Sequence, residues 1–300
     1  MDNLELTNEE MNSLCQSILK RYGIDFTCYE PKSLRRRMLR VMSLYNLPNS
    51  YALWMKLLQE PDFVKPFLSE VSVGMTSMFR DPELWVALKK RLANEFRHRS
   101  TMKVWHAGCS TGEEVYSLGV LLQEMKLQHI ATALATDFND AAVREAQAGV
   151  YHKIKTSENA AAYKQVTSYR DFSTYYTEID STQVQMHRDL VKHVEFRYHN
   201  LITDTFQNGF DVIFCRNVMI YFDVPAKRRL LDKFYEALNP GGLFIIGFYD
   251  AVMNIVNDEK LEVVDADVKI FRKRGNGSLS TEARDYLTSS VKEGFFDAGK

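Results

Sequence analysis

The chain has 300 residues, enough for one large domain or for a core domain with a smaller attachment. Hydrophobic residues at 45% and charged residues at 26% describe an ordinary globular protein and exclude a disordered or fibrous one. A formal net charge of -1 leaves no basic surplus to neutralise phosphates, which argues against nucleic acid as a partner.

Cys15, Cys28, Cys109 and Cys215 are scattered, with no CxxC pair and no metal-ligand spacing, so they read as reduced thiols and no metal is expected. The opening MDNLELTNEE is acidic and polar, unlike a signal peptide, and no apolar run approaches the roughly 20 residues that span a bilayer. These features point to the cytoplasm, without membrane insertion.

In chain order, Thr7 to about Phe67 reads as helical. Thr7 and Glu10 have the form of a capping box, and Leu14, Ile18 and Leu19 follow at helical spacing. A second helix is predicted over Lys32–Tyr45 and a third over Ser50–Gln59, stopped by Pro61. Ser72 to Asp81 has mixed character and reads as a connection.

After Arg99 the rhythm becomes strand and helix in alternation. MKVWHAG predicts a buried strand, EEVYSLGVLLQEM an amphipathic helix, HIATALATD a strand, and DAAVREAQAG a helix closed by Gly149. FDVIFCRN predicts an apolar strand, AKRRLLDKFYEAL a helix, and NPGG its terminating turn. GLFIIGF and VDADVKIFRK are expected as the last two strands. Such alternation predicts an α/β fold: a Rossmann-like, doubly wound, mostly parallel sheet with helices on both faces. The polar, tyrosine-rich stretch from Tyr151 to Phe196 is too long for a loop and reads as an inserted subdomain. Beyond Gly275 a helix over Ser280–Lys292 is expected, with no role legible.

The turn from Gly108 to Glu114 follows an apolar strand and opens a helix. Its glycines, Gly108 and Gly112, permit a tight turn and close approach of a ligand. A phosphate site would want that helix start free of acid, whereas Glu113 and Glu114 sit there and suit a cation such as the amino group or sulfonium of S-adenosylmethionine. The plain alternative is a helix start whose acids complement the dipole. Asp137, ending the second strand, is placed to accept from ribose hydroxyls; a helix N-cap is the alternative, a role open also to Asn139 or Asp140.

AGCSTGEEVYSL, ATDFNDAAVREAQAGVY, FRYHNL, FDVIFCRNVMIYFD and LNPGGLFIIG stand in the order seen in CheR-type chemotaxis protein-glutamate O-methyltransferases, and MTSMFRD resembles that family's linker. The resemblance spans residues 10 to 273. It implies a helical N-terminal domain over 1–70 and a linker with a connecting helix over 71–99. A methyltransferase domain over 100–273, with its insert at about 152–194, and a tail over 274–300 would complete the chain.

The resemblance also implies site residues. Thr76 and Arg80 would reach the cofactor and reaction centre, and Glu114, with Glu113 as the second choice, would hold the methionine amino group. Asp137 would hold the ribose, Asn200 and Leu201 would flank adenine, Asn217 and Val218 would line the methyl-donor side, and Tyr221 would face the acceptor carboxylate. Each has a plain alternative: a surface ion pair for Arg80 with Asp81 or Glu83, packing beside Phe222 for Tyr221, and turn formation for the asparagines. Arg216 reads as structural. The partner implied is the acidic helical domain of chemoreceptors, methylated by a monomer, with Lys32, Arg35, Arg36, Arg37 and Arg40 as a basic docking face of five charges within nine residues. A small-molecule methyltransferase and a non-enzymatic cofactor-binding adaptor are the competing readings. Departures from the family pattern are Gly74 and Met78 in the linker and Phe248-Tyr249-Asp250 where a histidine-serine-glutamate run is usual.

Overall fold

A computed structural model describes residues 4–72 and 76–275. Gly74 and the helix expected over 280–292 lie outside the described residues. The chain begins with four helices: α1 (Asn8–Tyr22), α2 (Pro31–Leu44), α3 (Ser50–Gln59) and α4 (Val64–Val71). Helix α1 starts at the expected capping box, where Thr7 Oγ1 accepts from the Glu10 N–H at 3.2 Å and Glu10 Oε2 accepts from the Thr7 N–H at 2.8 Å. Leu14, Ile18, Leu34, Met38, Val41, Leu53, Leu57 and Phe67 close one apolar cluster between these helices. That burial holds the unit together, since its helices are short for independent stability.

Next come α5 (Pro82–Glu95), β1 (Met102–Ala107), α6 (Glu113–Glu124), β2 (Ala131–Asp137) and α7 (Asp140–Ala148). The insert holds β3 (Val150–His152), α8 (Thr156–Val166), β4 (Tyr176–Glu178) and β5 (Gln183–Met186). Then follow β6 (Val194–Tyr198), β7 (Phe210–Cys215), α9 (Val224–Ala237), β8 (Leu238–Ile246), β9 (Leu261–Asp265) and β10 (Ile270–Lys273). The main sheet has seven strands in the order β6-β2-β1-β7-β8-β10-β9, and only β10 runs against its neighbours. Leu243 and Ile245 of β8 face one apolar cluster with α5 and α6, while Phe244 and Ile246 face another with α9. Side-chain alternation in a sheet covered on both faces produces this pattern.

Two expectations are corrected. Residues 239–242 (NPGG) do not end α9 as a turn but bulge within β8, since Leu238 pairs with Phe210 and Leu243 with Val212. Gly241, at φ +77°, supplies the bend, and Asn239 Nδ2 donates to Asp211 Oδ1 across the bulge at 3.0 Å. The stretch 264–273 is not one strand: its first two residues end β9, and a turn with Lys269 at φ +59° leads into β10. β6, which forms a sheet edge, was not expected as a strand.

The insert folds as a three-stranded antiparallel sheet, ordered β3-β5-β4, with α8 against α5. Its staple is the buried carboxylate of Glu124, at the end of α6, which accepts from the hydroxyls of Tyr175 at 2.8 Å and Thr167 at 3.1 Å and also from Tyr163. Among the described residues no helix is long and apolar enough to cross a membrane. Glu124→Ala leaves these hydroxyls, two of them on buried tyrosines, without their acceptor and is expected to cost about 3 kcal/mol in urea unfolding. A loss under about 1 kcal/mol would show that the staple is dispensable.

Candidate active site

The C-terminal ends of β6, β2, β1 and β7 lie side by side, and the segments leaving them surround a cavity of about 350 Å³. This is the crevice where open α/β sheets bind ligands, at the point where the strand order reverses, here between β1 and β7. The turn after β1 is tied to β2: the N–H groups of Gly108 and Cys109 both donate to Thr136 O at 2.8 Å. Gly108 has φ +83°, and a Cβ there would lie 2.4 Å from Val218 Cγ2. Glycine is therefore required for the turns after β1 and β7 to meet. Gly112 stands outside the cavity lining; a Cβ there would lie 2.8 Å from Ala146 Cβ, so its place is in seating α6 against α7.

Asp137 lines the cavity with both carboxylate oxygens anchored, Oδ2 accepting from the Ser110 N–H and Oδ1 from the Asn139 N–H, each at 2.9 Å. Burial pushes its pKa up, against the pull of these backbone donors. Glu114 also lines the cavity. Burial would raise its carboxyl, but the His106 Nδ1 contact at 2.8 Å and the charge of Arg216, 3.2 Å away, hold it below the usual range. Glu113 instead points away into a bond from Thr111 Oγ1 at 2.6 Å, and burial raises its pKa. Asn200 and Leu201 complete this side, with Asn200 Oδ1 accepting from the Ile202 N–H at 2.9 Å.

Thr76 and Arg80 enter from the connecting segment. Met78 N–H donates to Asn159 Oδ1 of the insert at 3.3 Å, and Phe79 N–H to Ser117 Oγ of α6 at 2.8 Å. Phe79 and Asp81, on either side of Arg80, have φ of +53° and +54°. Left-handed backbone at two non-glycine residues persists only where packing imposes it, so the direction of Arg80 is set by its anchored flanks. Arg216, which also lines the cavity, donates to Arg80 O at 3.0 Å and to Asp81 Oδ2 at 2.7 Å.

Asn217, Val218 and Tyr221 line the remaining wall. The helical N-terminal unit docks here: Glu30 N–H donates to Tyr221 O and Asp223 N–H to Cys28 O, both at 2.9 Å. It contributes Tyr29, Arg37, Ser69 and Ser72 to the cavity. Arg37 thus departs from the expected exposed face. It is 7% exposed, donates to Val71 O, and sets its guanidinium 4.2 Å from the centre of the Tyr221 ring. Its position is legible in hindsight, because residue 37 falls on the apolar stripe of Leu34, Met38 and Val41. Arg35 is half-buried and donates to Asn8, while Arg36 and Arg40 are exposed, Arg40 lying 3.4 Å from Glu70.

Asp250, noted from sequence only as a departure at the rim, is fully buried. It accepts from the N–H groups of Gly247 at 2.6 Å, Asn217 at 2.7 Å and Ile220 at 3.2 Å. Phe248 and Tyr249 before it are exposed. Burial raises the Asp250 pKa to about 6 from 3.8, against the pull of the backbone donors and Arg216. A carboxyl whose folded pKa is raised binds its proton more tightly when folded, so its contribution to stability falls as pH rises from about 4 to about 6. Urea unfolding should show the wild type losing stability relative to Asp250→Asn across that window, by up to about 3 kcal/mol. A pH-independent difference between the two would show that the Asp250 pKa is the same in the folded and unfolded chain.

The family model described as "CheR methyltransferase, SAM binding domain" matches residues 74–270, and "CheR methyltransferase, all-alpha domain" matches residues 9–72. The chain is 32% identical over 267 residues to "Putative methyltransferase Cher3" of Pseudomonas putida, covering 89% of this chain and 97% of that one. It is 30% identical over 240 residues to a chemotaxis protein methyltransferase of Listeria monocytogenes, covering 79% and 88%. The corresponding protein of Salmonella typhimurium is 26% identical over 269 residues, covering 86% and 89%. With both domain models matched in sequence and a Rossmann-like sheet following an all-helical unit, the chain belongs to the CheR family of S-adenosylmethionine-dependent methyltransferases.

Proposed function

We propose that this methyltransferase esterifies glutamate side chains of chemoreceptor proteins. The observation that carries the reading is a single cavity lined both by carboxylates suited to a cationic nucleoside donor, Asp137 and Glu114, and by an arginine and a phenol suited to an acceptor carboxylate, Arg80 and Tyr221. The donor set fits S-adenosylmethionine. Asp137, with each oxygen already fixed by a backbone N–H, keeps lone pairs for ribose hydroxyls. Glu114, held ionised, would take the ammonium, and Asn200 and Leu201 would flank adenine.

When bound, S-adenosylmethionine supplies a methyl on a cationic sulfur; the acceptor oxygen forms a C–O bond as the C–S bond breaks, both charges vanish, and no proton moves. A glutamate with a pKa of about 4.3 is already ionised at neutral pH, so the chain need not provide a base. Its task is to aim and partly desolvate a weak nucleophile. Arg80, directed by its anchored flanks, would position the acceptor carboxylate. Tyr221 would offer a neutral hydroxyl donor, its ring braced by Arg37. A bidentate arginine grip on both oxygens would stabilise the ground state and slow attack, so one donor at a time is the better arrangement.

Docking would use the exposed side of α2. Lys32, Arg36 and Arg40 lie on solvent there and complement an acidic receptor helix. The chemotaxis methyltransferases among the relatives support a chemoreceptor as partner.

Incubation with labelled S-adenosylmethionine and receptor cytoplasmic fragments should give base-labile methyl esters. Arg80→Ala should lower turnover by about 100-fold or more while weakening S-adenosylmethionine binding much less, because mispositioning alone costs about that much. Unchanged turnover would remove Arg80 from the site. Arg36→Glu with Arg40→Glu should raise KM for the receptor fragment about tenfold at low salt and leave cofactor affinity unchanged. A KM that does not move would place docking elsewhere.

A further inference from the structure

Asp250 does not line the cavity, yet it holds the turn that does. Its carboxylate gathers the N–H groups of Asn217 and Ile220, at 2.7 and 3.2 Å, from the same five residues that present Asn217, Val218 and Tyr221 to the site. Asn217 has φ +59°, a left-handed conformation that asparagine tolerates and that is held here by support from outside the residue. The support comes from one strap after β8. Asp250 grips the turn through its N–H groups, while Gly247, whose own N–H also donates to Asp250 at 2.6 Å, leaves room for the turn to close. A Cβ on Gly247 would stand 2.6 Å from Asn217 N and 2.7 Å from Asn217 Cγ. Lys227 Nζ, from α9, donates to Asp250 O at 3.3 Å and holds the strap itself.

We infer that Asp250 is a positioning residue for methyl transfer: through the backbone of Asn217 and Ile220 it sets where Asn217 and Tyr221 stand, without touching donor or acceptor. The inference rests on the function proposed above. The nucleoside half of the cavity hangs on a separate set of bonds, from Ser110 and Asn139 to Asp137. Loss of Asp250 therefore damages turnover and spares most of the cofactor affinity.

The test uses the full chain and three variants. Asp250→Asn, which cannot accept three N–H bonds on fixed oxygens, should lower kcat about 30-fold while the Kd for S-adenosylhomocysteine changes less than about threefold. Asp250→Glu keeps the charge and the acceptors and should return kcat to within about fivefold of wild type. Gly247→Ala leaves the carboxylate intact but crowds Asn217, and should lower kcat by a factor similar to Asp250→Asn. In amide NMR, the proton resonances of Asn217 and Ile220 should move upfield in Asp250→Asn, as expected when a charge-assisted bond is lost. Wild-type kcat in folded Asp250→Asn, equal losses in kcat and affinity, or unmoved Asn217 and Ile220 amides would each overturn the inference. If Asp250→Asn does not fold, an unimpaired Gly247→Ala overturns it alone. Wild-type protein that forms no methyl ester on receptor fragments would instead refute the proposed reaction, and the NMR comparison would still decide whether Asp250 holds the turn.

Discussion

The buried guanidinium of Arg216 is the interaction on which the site depends. With its side chain 3% exposed, it donates to Glu114, to Asp81 and to the backbone oxygen of Arg80. These groups belong to the start of α6 and to the segment before α5, and Arg216 itself directly follows β7. One cation thus joins three segments that are far apart in sequence. A buried charge of this kind is tolerable only when paired, and removing one partner of such a pair typically costs about 3–5 kcal/mol. The pairing also has an electrostatic result: together with His106 it keeps Glu114 ionised in a place where burial would favour the neutral acid.

The rest of the site is arranged around that knot. The sheet supplies fixed strand ends, and the turns after β1 and β7 meet because Gly108 has no side chain to separate them. The helical unit closes the cavity from outside, pairing Cys28 and Glu30 with the backbone of Asp223 and Tyr221. Arg37 extends this contact to the Tyr221 ring, while its neighbours Arg36 and Arg40 stay on solvent. The same helix that offers a basic face to an acidic partner therefore also braces a residue of the cavity wall. Occupancy of the face and geometry of the wall share one rigid element.

Much of this was legible before any coordinates, for identifiable reasons. Apolar runs such as FDVIFC, buried at every position, can only be central strands of a covered sheet. Thr7 and Glu10 mark a helix start by chemistry that needs no tertiary context. Asp137 was conspicuous as an acid ending an apolar strand. Arg37 was misplaced because a run of arginines suggests a solvated face, although its spacing from Leu34 and Val41 put it on the buried stripe. The strap was harder. In Phe248-Tyr249-Asp250 the two aromatic residues are the exposed ones and the carboxylate is the buried one, the reverse of what residue type suggests. Its backbone partners, Asn217 and Ile220, lie about thirty residues away, and no local pattern announces such a bond. The hairpin between β9 and β10 was hidden for a related reason: the alternation in VDADVKIFRK continues across its turn.

The central claim is that Asp137 and Glu114 face a positively charged adenosyl donor in this cavity. Titration calorimetry of the full chain with S-adenosylmethionine tests it most directly. The account expects saturable one-site binding that Asp137→Asn weakens by about tenfold or more, the order expected for losing charge-assisted bonds to the ribose. Absence of binding, or an affinity indifferent to Asp137, would contradict it.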